Sequence, residues 1–223
     1  MRTAQEIYTE YKIMPSLQLH QLRVAAIAKL ICDNFTKPVN EKDVILACLF
    51  HDMGNIVKFD LGYIPEFLEP EGLAYWQNVQ REYKRKYGGA DQHAANESIA
   101  RELGLSEEVI SYIAAVSFSK VGEVVKSASF EKKICEYSDS RVGPHGILSL
   151  DERLRDGRQR YLKRIDAVQQ DGVAAPADTF EALMKLEHEL EKQLFAVSDI
   201  TPEGITDAEV APLIEELRTY PIA

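Results

Sequence analysis

Cys48-Leu49-Phe50-His51-Asp52-Met53-Gly54-Asn55 sets a polar pair at the end of an apolar run. An apolar run from Val44 to Phe50 delivers a histidine and an aspartate side by side. The run reads as a helix opened by Asn40 as N-cap, with Asp43 three residues on. Gly54 reads as the left-handed residue that ends it. A neutral imidazole and a carboxylate at the end of a buried helix are natural ligands for a divalent ion. Two adjacent residues are a weak signal alone, so the remaining ligands must come from elsewhere in the chain.

Upstream, Met14-Pro15-Ser16 opens a helix with Ser16 as its expected N-cap. Leu19, Leu22, Ala26, Ile27, Leu30 and Ile31 give it a broad apolar face at 3.6-residue spacing, and His20 and Arg23 are set into it. Downstream, Asp91 to Leu103 reads as a helix carrying His93 and Glu97 one turn apart, stopped by Gly104. Ser106 caps the next helix, expected to continue through Val116. The apolar segment Phe130 to Tyr137 ends in Ser138-Asp139-Ser140-Arg141-Val142-Gly143-Pro144-His145-Gly146, a second ligand-like placement of an aspartate before a Gly/Pro loop. Capping boxes at Ser149/Glu152, Asp178/Glu181 and Thr206/Glu209 predict helices over about 150–170, 179–197 and 207–219. Turns are expected at 171–177 and 198–205. No useful period-2 alternation occurs, so the chain is expected to be all-α. Residues 56–89 are looser, broken by Gly62, Pro65, Pro70 and Gly72 and dense in aromatics. The basic run Arg81-Glu82-Tyr83-Lys84-Arg85-Lys86 reads either as a solvated helix face or as a cover offering cations to an anionic substrate.

The chain has 223 residues, 45% hydrophobic and 28% charged, ordinary for a globular protein. A net charge of −10 argues against a general nucleic-acid binder, which needs a basic surface. It leaves room for a small phosphorylated substrate, because a bound metal supplies local positive charge. Cys32, Cys48 and Cys135 lie in apolar stretches without C-x-x-C spacing and read as buried, reduced thiols. The polar start of the chain lacks the apolar core of a signal peptide, and no stretch approaches a membrane span. A cytoplasmic location is expected.

His20, His51, Asp52 and Asp139 make four candidate ligands, each within or at the end of an apolar helix. A helical bundle can aim such residues into one cavity. Two imidazoles and two carboxylates suit Mn, Fe, Co, Ni or Zn rather than a thiolate-seeking ion. The order H…HD…D resembles the signature of the HD-domain superfamily of metal-dependent phosphohydrolases. The surroundings are similar too: Leu19-His20-Gln21-Leu22-Arg23-Val24-Ala25, Ala47 to Asn55, and Tyr137-Ser138-Asp139-Ser140-Arg141-Val142.

The resemblance implies an HD-domain helical bundle over residues 1–148, with a C-terminal helical extension, 149–223, packed on the same domain. It implies a metal held by the four ligands and hydrolysis of a nucleotide or other small phosphate ester. A non-catalytic metal-binding sensor of the same fold is the alternative. Many members carry a lysine after the His-Asp-x-Gly glycine; here Asn55 stands there, and Lys58 is the nearest downstream cation. His93 resembles the first extra histidine of binuclear members, but Ala114-Ala115-Val116-Ser117-Phe118-Ser119 supplies no second one. One divalent ion is therefore expected, with a second site absent or weak. Asp52 is expected beside the attacking water, with His93 or Glu97 as general acid or base. Arg23, Lys58, Arg141 and His145 are candidate substrate contacts, with fixing the loop after Asp139 as the alternative role for Arg141 and His145. His188 reads as a solvated helix residue. The last helix, with Val210, Leu213, Ile214 and Leu217 on one side, could pack on its own core or on a second copy of the chain.

Overall fold

The structure is a computed structural model, and it describes residues 1–62, 65–89, 91–169 and 177–222. Tyr63, the turn expected from Asp171 onward and the side chain of the Asp178 cap lie outside the described residues. The helices are α1 (Ala4–Glu10), α2 (Pro15–Asp33), α3 (Glu41–Phe50), α4 (Leu73–Lys86), α5 (Gln92–Glu102) and α6 (Glu107–Ile113). They continue with α7 (Val121–Lys126), α8 (Phe130–Asp139), α9 (Leu150–Gln169), α10 (Ala177–Phe195) and α11 (Asp207–Arg218). The all-α expectation holds. Strand among the described residues is confined to β1 (Arg2–Thr3) and β2 (Pro221–Ile222), antiparallel partners that clasp the two ends of the chain. Two-residue strands are too short to leave an alternating pattern.

Helix α3 is apolar all round, and Val44 through Phe50 are all buried. Such a helix must be surrounded by other elements. It packs on α2, α6 and α8, and α11 covers α2. The small residues Ala25, Ala26 and Ala28 of α2 are fully buried and let neighbours approach closely. Tyr8 of α1 donates its hydroxyl to the Leu49 carbonyl at 2.7 Å, tying α1 to the end of α3. Leu190 and Leu194 of α10 and Val210, Ile214 and Leu217 of α11 share the same apolar core. No helix among the described residues is long and apolar enough to cross a membrane. Cys48 and Cys135 are buried free thiols, whereas Cys32 is partly exposed.

Four local expectations are corrected. α1 was not foreseen, although Thr3 and Glu6 form a full capping box at its start. α2 begins at Pro15, with Met14 as N-cap; proline suits the first helical position because its missing N–H has no helical partner there. α6 stops at Ile113 rather than running through Val116, and the backbone at Ser117 is extended. The Ser117 N–H there is taken by the buried carboxylate of Glu136 at 2.6 Å.

Gly54 is not left-handed: its φ is −95°. Glycine is needed for closeness instead. A Cβ there would stand 2.5 Å from Ala95 Cβ and 2.9 Å from the Asn96 nitrogen of α5. Asn96 Oδ1 accepts the Gly54 N–H at 2.6 Å, so α5 is drawn against this turn. Gly54→Ala is expected to destabilise the fold by about 1–3 kcal/mol through overpacking. Denaturant unfolding measures it, and an unchanged midpoint would remove the close-approach explanation.

Candidate metal centre

The last carbonyls of a helix have no intrahelical partner. At the end of α3 one of them, on Cys48, lies 2.8 Å from His51 Nδ1. A carbonyl only accepts, so Nδ1 carries a proton, and Nε2 is the nitrogen that offers a lone pair once the ring is neutral. That Nε2 is buried and has no hydrogen-bond partner. An unpartnered buried polar atom is costly unless something satisfies it. The following residue is held equally firmly: the Asp52 N–H donates to Gln21 Oε1 at 3.2 Å. Gln21 is fully buried and adjoins His20 in α2, so one side chain locks the two ligand-bearing helices together.

Four side chains meet here. His20 Nε2 lies 3.0 Å from Asp139 Oδ1 and 3.6 Å from Asp52 Oδ2. His51 Nε2 lies 3.6 Å from Asp52 Oδ2 and 3.5 Å from Asp139 Oδ1. The donor atoms of His20, His51 and Asp52 all fall within 4.8 Å of one another. Neighbouring donors about 2.1 Å from a shared ion stand roughly 3.0–3.4 Å apart, close to this spacing. The donor set and the orphaned His51 nitrogen both fit a divalent ion.

The electrostatics agree. α3 and α8 both end at the cluster, and helix C-termini carry partial negative charge. Burial pulls the His51 imidazolium down, but Asp52 and Asp139 outweigh it and lift its pKa to about 9. Burial likewise opposes ionisation of Asp139, yet the imidazoles of His20 and His51 beside it hold its carboxyl well below the usual range.

The remaining candidates separate. Arg23, one turn after His20, is half-buried and donates one N–H to the His145 carbonyl at 3.2 Å. His145 is exposed, and Lys58 is exposed at the end of the 3-10 turn Asn55–Lys58. Arg141 takes the loop-fixing role and not that of a substrate contact. It is 3% exposed and donates to the Leu148, Pro202 and Ile205 carbonyls and the Tyr137 hydroxyl. Four of its five N–H groups are thereby spent on the protein, so it braces the chain after Asp139 instead of meeting substrate. His93 is half-buried near the start of α5, beside Gln92, and outside the His20–His51–Asp52 group. Glu97 pairs with Arg101 at 3.3 Å. In the basic run, Lys86 pairs with Glu102 at 2.8 Å, and Arg81 donates to Asn78. These two cations serve the helix surface. His188 is exposed and 3.3 Å from Asp151, as a solvated residue should be.

Several supporting residues escaped the sequence reading. Gln21 is an amide on the largely apolar α2, which was a readable signal, whereas Asn96 sits among the polar residues of α5 and nothing local marks it. Glu187 lies in line with Leu183, Leu190 and Leu194 on α10, a carboxylate in an apolar stripe. It is fully buried and accepts from Ser140, the residue after Asp139, at 3.1 Å. Burial lifts its pKa to about 7, and burial together with Glu187 lifts that of Glu136 well above the ordinary value.

A family model described as HD domain matches residues 18–171, more than half of the chain and including all four convergent residues. Searches of curated proteins and of solved structures returned no match.

Metal ligation requires neutral imidazole, so an ion must displace the proton that His51 holds below its pKa of about 9. Binding at pH 7 is expected to release about one proton per ion from this residue, and affinity should climb as pH rises toward 9. Calorimetry in buffers of differing ionisation enthalpy counts the protons. Metal uptake with no proton release would contradict this protonation state.

Proposed function

The chain belongs to the HD domain family, and from that premise we propose that it hydrolyses a nucleotide or another small phosphate ester, using one divalent ion held by His20, His51, Asp52 and Asp139. The observation that carries the reading is the buried, partnerless His51 Nε2 facing two carboxylates and a second imidazole. Mn, Fe, Co, Ni and Zn are the ions this mixed N/O set suits. Such an ion would polarise a phosphoryl oxygen and acidify water.

The chain's own groups do the rest. Arg23 keeps N–H groups beyond its bond to His145, and these grip the phosphate. Lys58, exposed, adds charge for an arriving anion. Asp52 is one-fifth exposed, wet enough to orient the attacking water and accept its proton. The water oxygen bonds to phosphorus as the P–O ester bond breaks, and the departing alkoxide takes a proton. His93 is the assigned donor. It lies one turn before Asn96, the residue that seats α5 against the metal-side turn at Gly54. Glu97, engaged with Arg101, is the weaker assignment.

Phosphate release from nucleotides and sugar phosphates, by metal-stripped protein given each ion in turn, tests the proposal. Asp52→Ala is expected to lose at least ~100-fold in rate, the lower end for general acid–base catalysis. Metal bound at about one per chain with no release across the panel would replace the hydrolase reading with a binding module.

A further inference from the structure

Phe67 is an aromatic side chain that the core does not use. It lies in the 3-10 turn Pro65–Leu68, half-buried, and outside the apolar cluster that absorbs most buried aromatics among the described residues. Its ring instead meets the ring of His145 edge-to-face, with centroids 5.9 Å apart. His145 belongs to the loop that follows Asp139, and its carbonyl receives Arg23, one turn from His20. A chain of contacts thus runs from the metal-side helix through Arg23 and His145 to Phe67.

Hydrogen bonds tie the backbone near both rings. The neighbouring Leu68 is buried, and its carbonyl accepts Trp76 Nε1 at 3.0 Å from a Trp that is itself buried. Gln80 ties the preceding turn by donating to the Ile56 and Phe59 carbonyls at 2.8 and 2.9 Å. The His145 loop closes on itself through Gly143 N–H to the Gly146 carbonyl at 2.8 Å, and Asp207 accepts the Ile147 N–H at 3.2 Å. An exposed His145 and a half-buried Phe67, beside an arginine with spare donors, are suited to a planar ring attached to a phosphate.

We infer that Phe67 and His145 form the wall on which the base of a nucleoside monophosphate stacks while Arg23 takes its phosphate. This rests on the proposed hydrolase reading for the position of the phosphate, and it makes Phe67 a specificity residue. Neither ring is fully buried, and a nucleobase adds to the pair as a third ring.

The test compares a nucleoside 5′-monophosphate with ribose 5-phosphate, which keeps the phosphate and sugar and lacks the base. Turnover and calorimetric binding are both measured on metal-loaded protein. Phe67→Ala is expected to raise KM and Kd for the nucleotide by about tenfold, as loss of one base–aromatic stack does. It should leave kcat and all ribose 5-phosphate values unchanged, and Phe67→Tyr should restore the nucleotide values. Nucleotide binding that depends on Phe67 without turnover would remove the hydrolase and keep the wall. Turnover indifferent to Phe67 would keep the hydrolase and overturn the wall. A nucleotide bound no more tightly than ribose 5-phosphate overturns the wall in either case.

Discussion

Two helices end against each other, and each end brings a carboxylate. Asp52 follows α3 and Asp139 closes α8, so two acidic groups and two negative helix termini share one small volume. Alone they would repel. Two imidazoles, His20 from the middle of α2 and His51 from the α3 terminus, supply the compensating donors. The rest of the molecule is arranged so that this otherwise unfavourable meeting is kept, and a divalent ion is the partner that would satisfy all four groups together.

The bracing reaches far along the chain. Gln21 fixes the Asp52 backbone from α2, and Asn96 fixes Gly54 from α5. On the Asp139 side the supports come from beyond residue 180. Glu187 receives Ser140, Glu191 receives the Tyr137 hydroxyl at 2.7 Å, and Arg141 reaches the Pro202 and Ile205 carbonyls. Helix α10 therefore buries a carboxylate where an aliphatic residue would pack more simply. It exchanges some core stability for a fixed end to α8. A ligand cluster held by side chains that are themselves hydrogen-bonded keeps its geometry when substrate arrives.

The residues proposed to meet substrate differ from those that hold the four convergent side chains. The buried arginine of the Asp139 loop is structural, whereas Arg23, Lys58 and His145 retain exposure. The segment between α3 and α4 contributes Phe67 to this side while anchoring itself through Trp76 and Gln80. Its composition is rich in aromatics and punctuated by Pro and Gly, as in connecting segments at a surface.

The helical class was legible because apolar spacing and capping residues are local signals. Asn40, Ser106 and Thr206 each cap a helix as their spacing implies. The convergence of His20, His51, Asp52 and Asp139 was legible only through their order and local wording, since nothing in spacing says that residues 20 and 139 touch. Local signals therefore reached most of the helices, though not α1, and the identity of four polar residues within them or at their ends. Tertiary structure alone decided that Gly54 is required for a neighbour rather than for its own φ, that Arg141 is a brace and that Phe67 stands beside His145. The physical reason is common to all three. A glycine, an arginine or a phenylalanine has the same local propensity whichever element it meets, and which element it meets is settled by packing between segments distant in the chain.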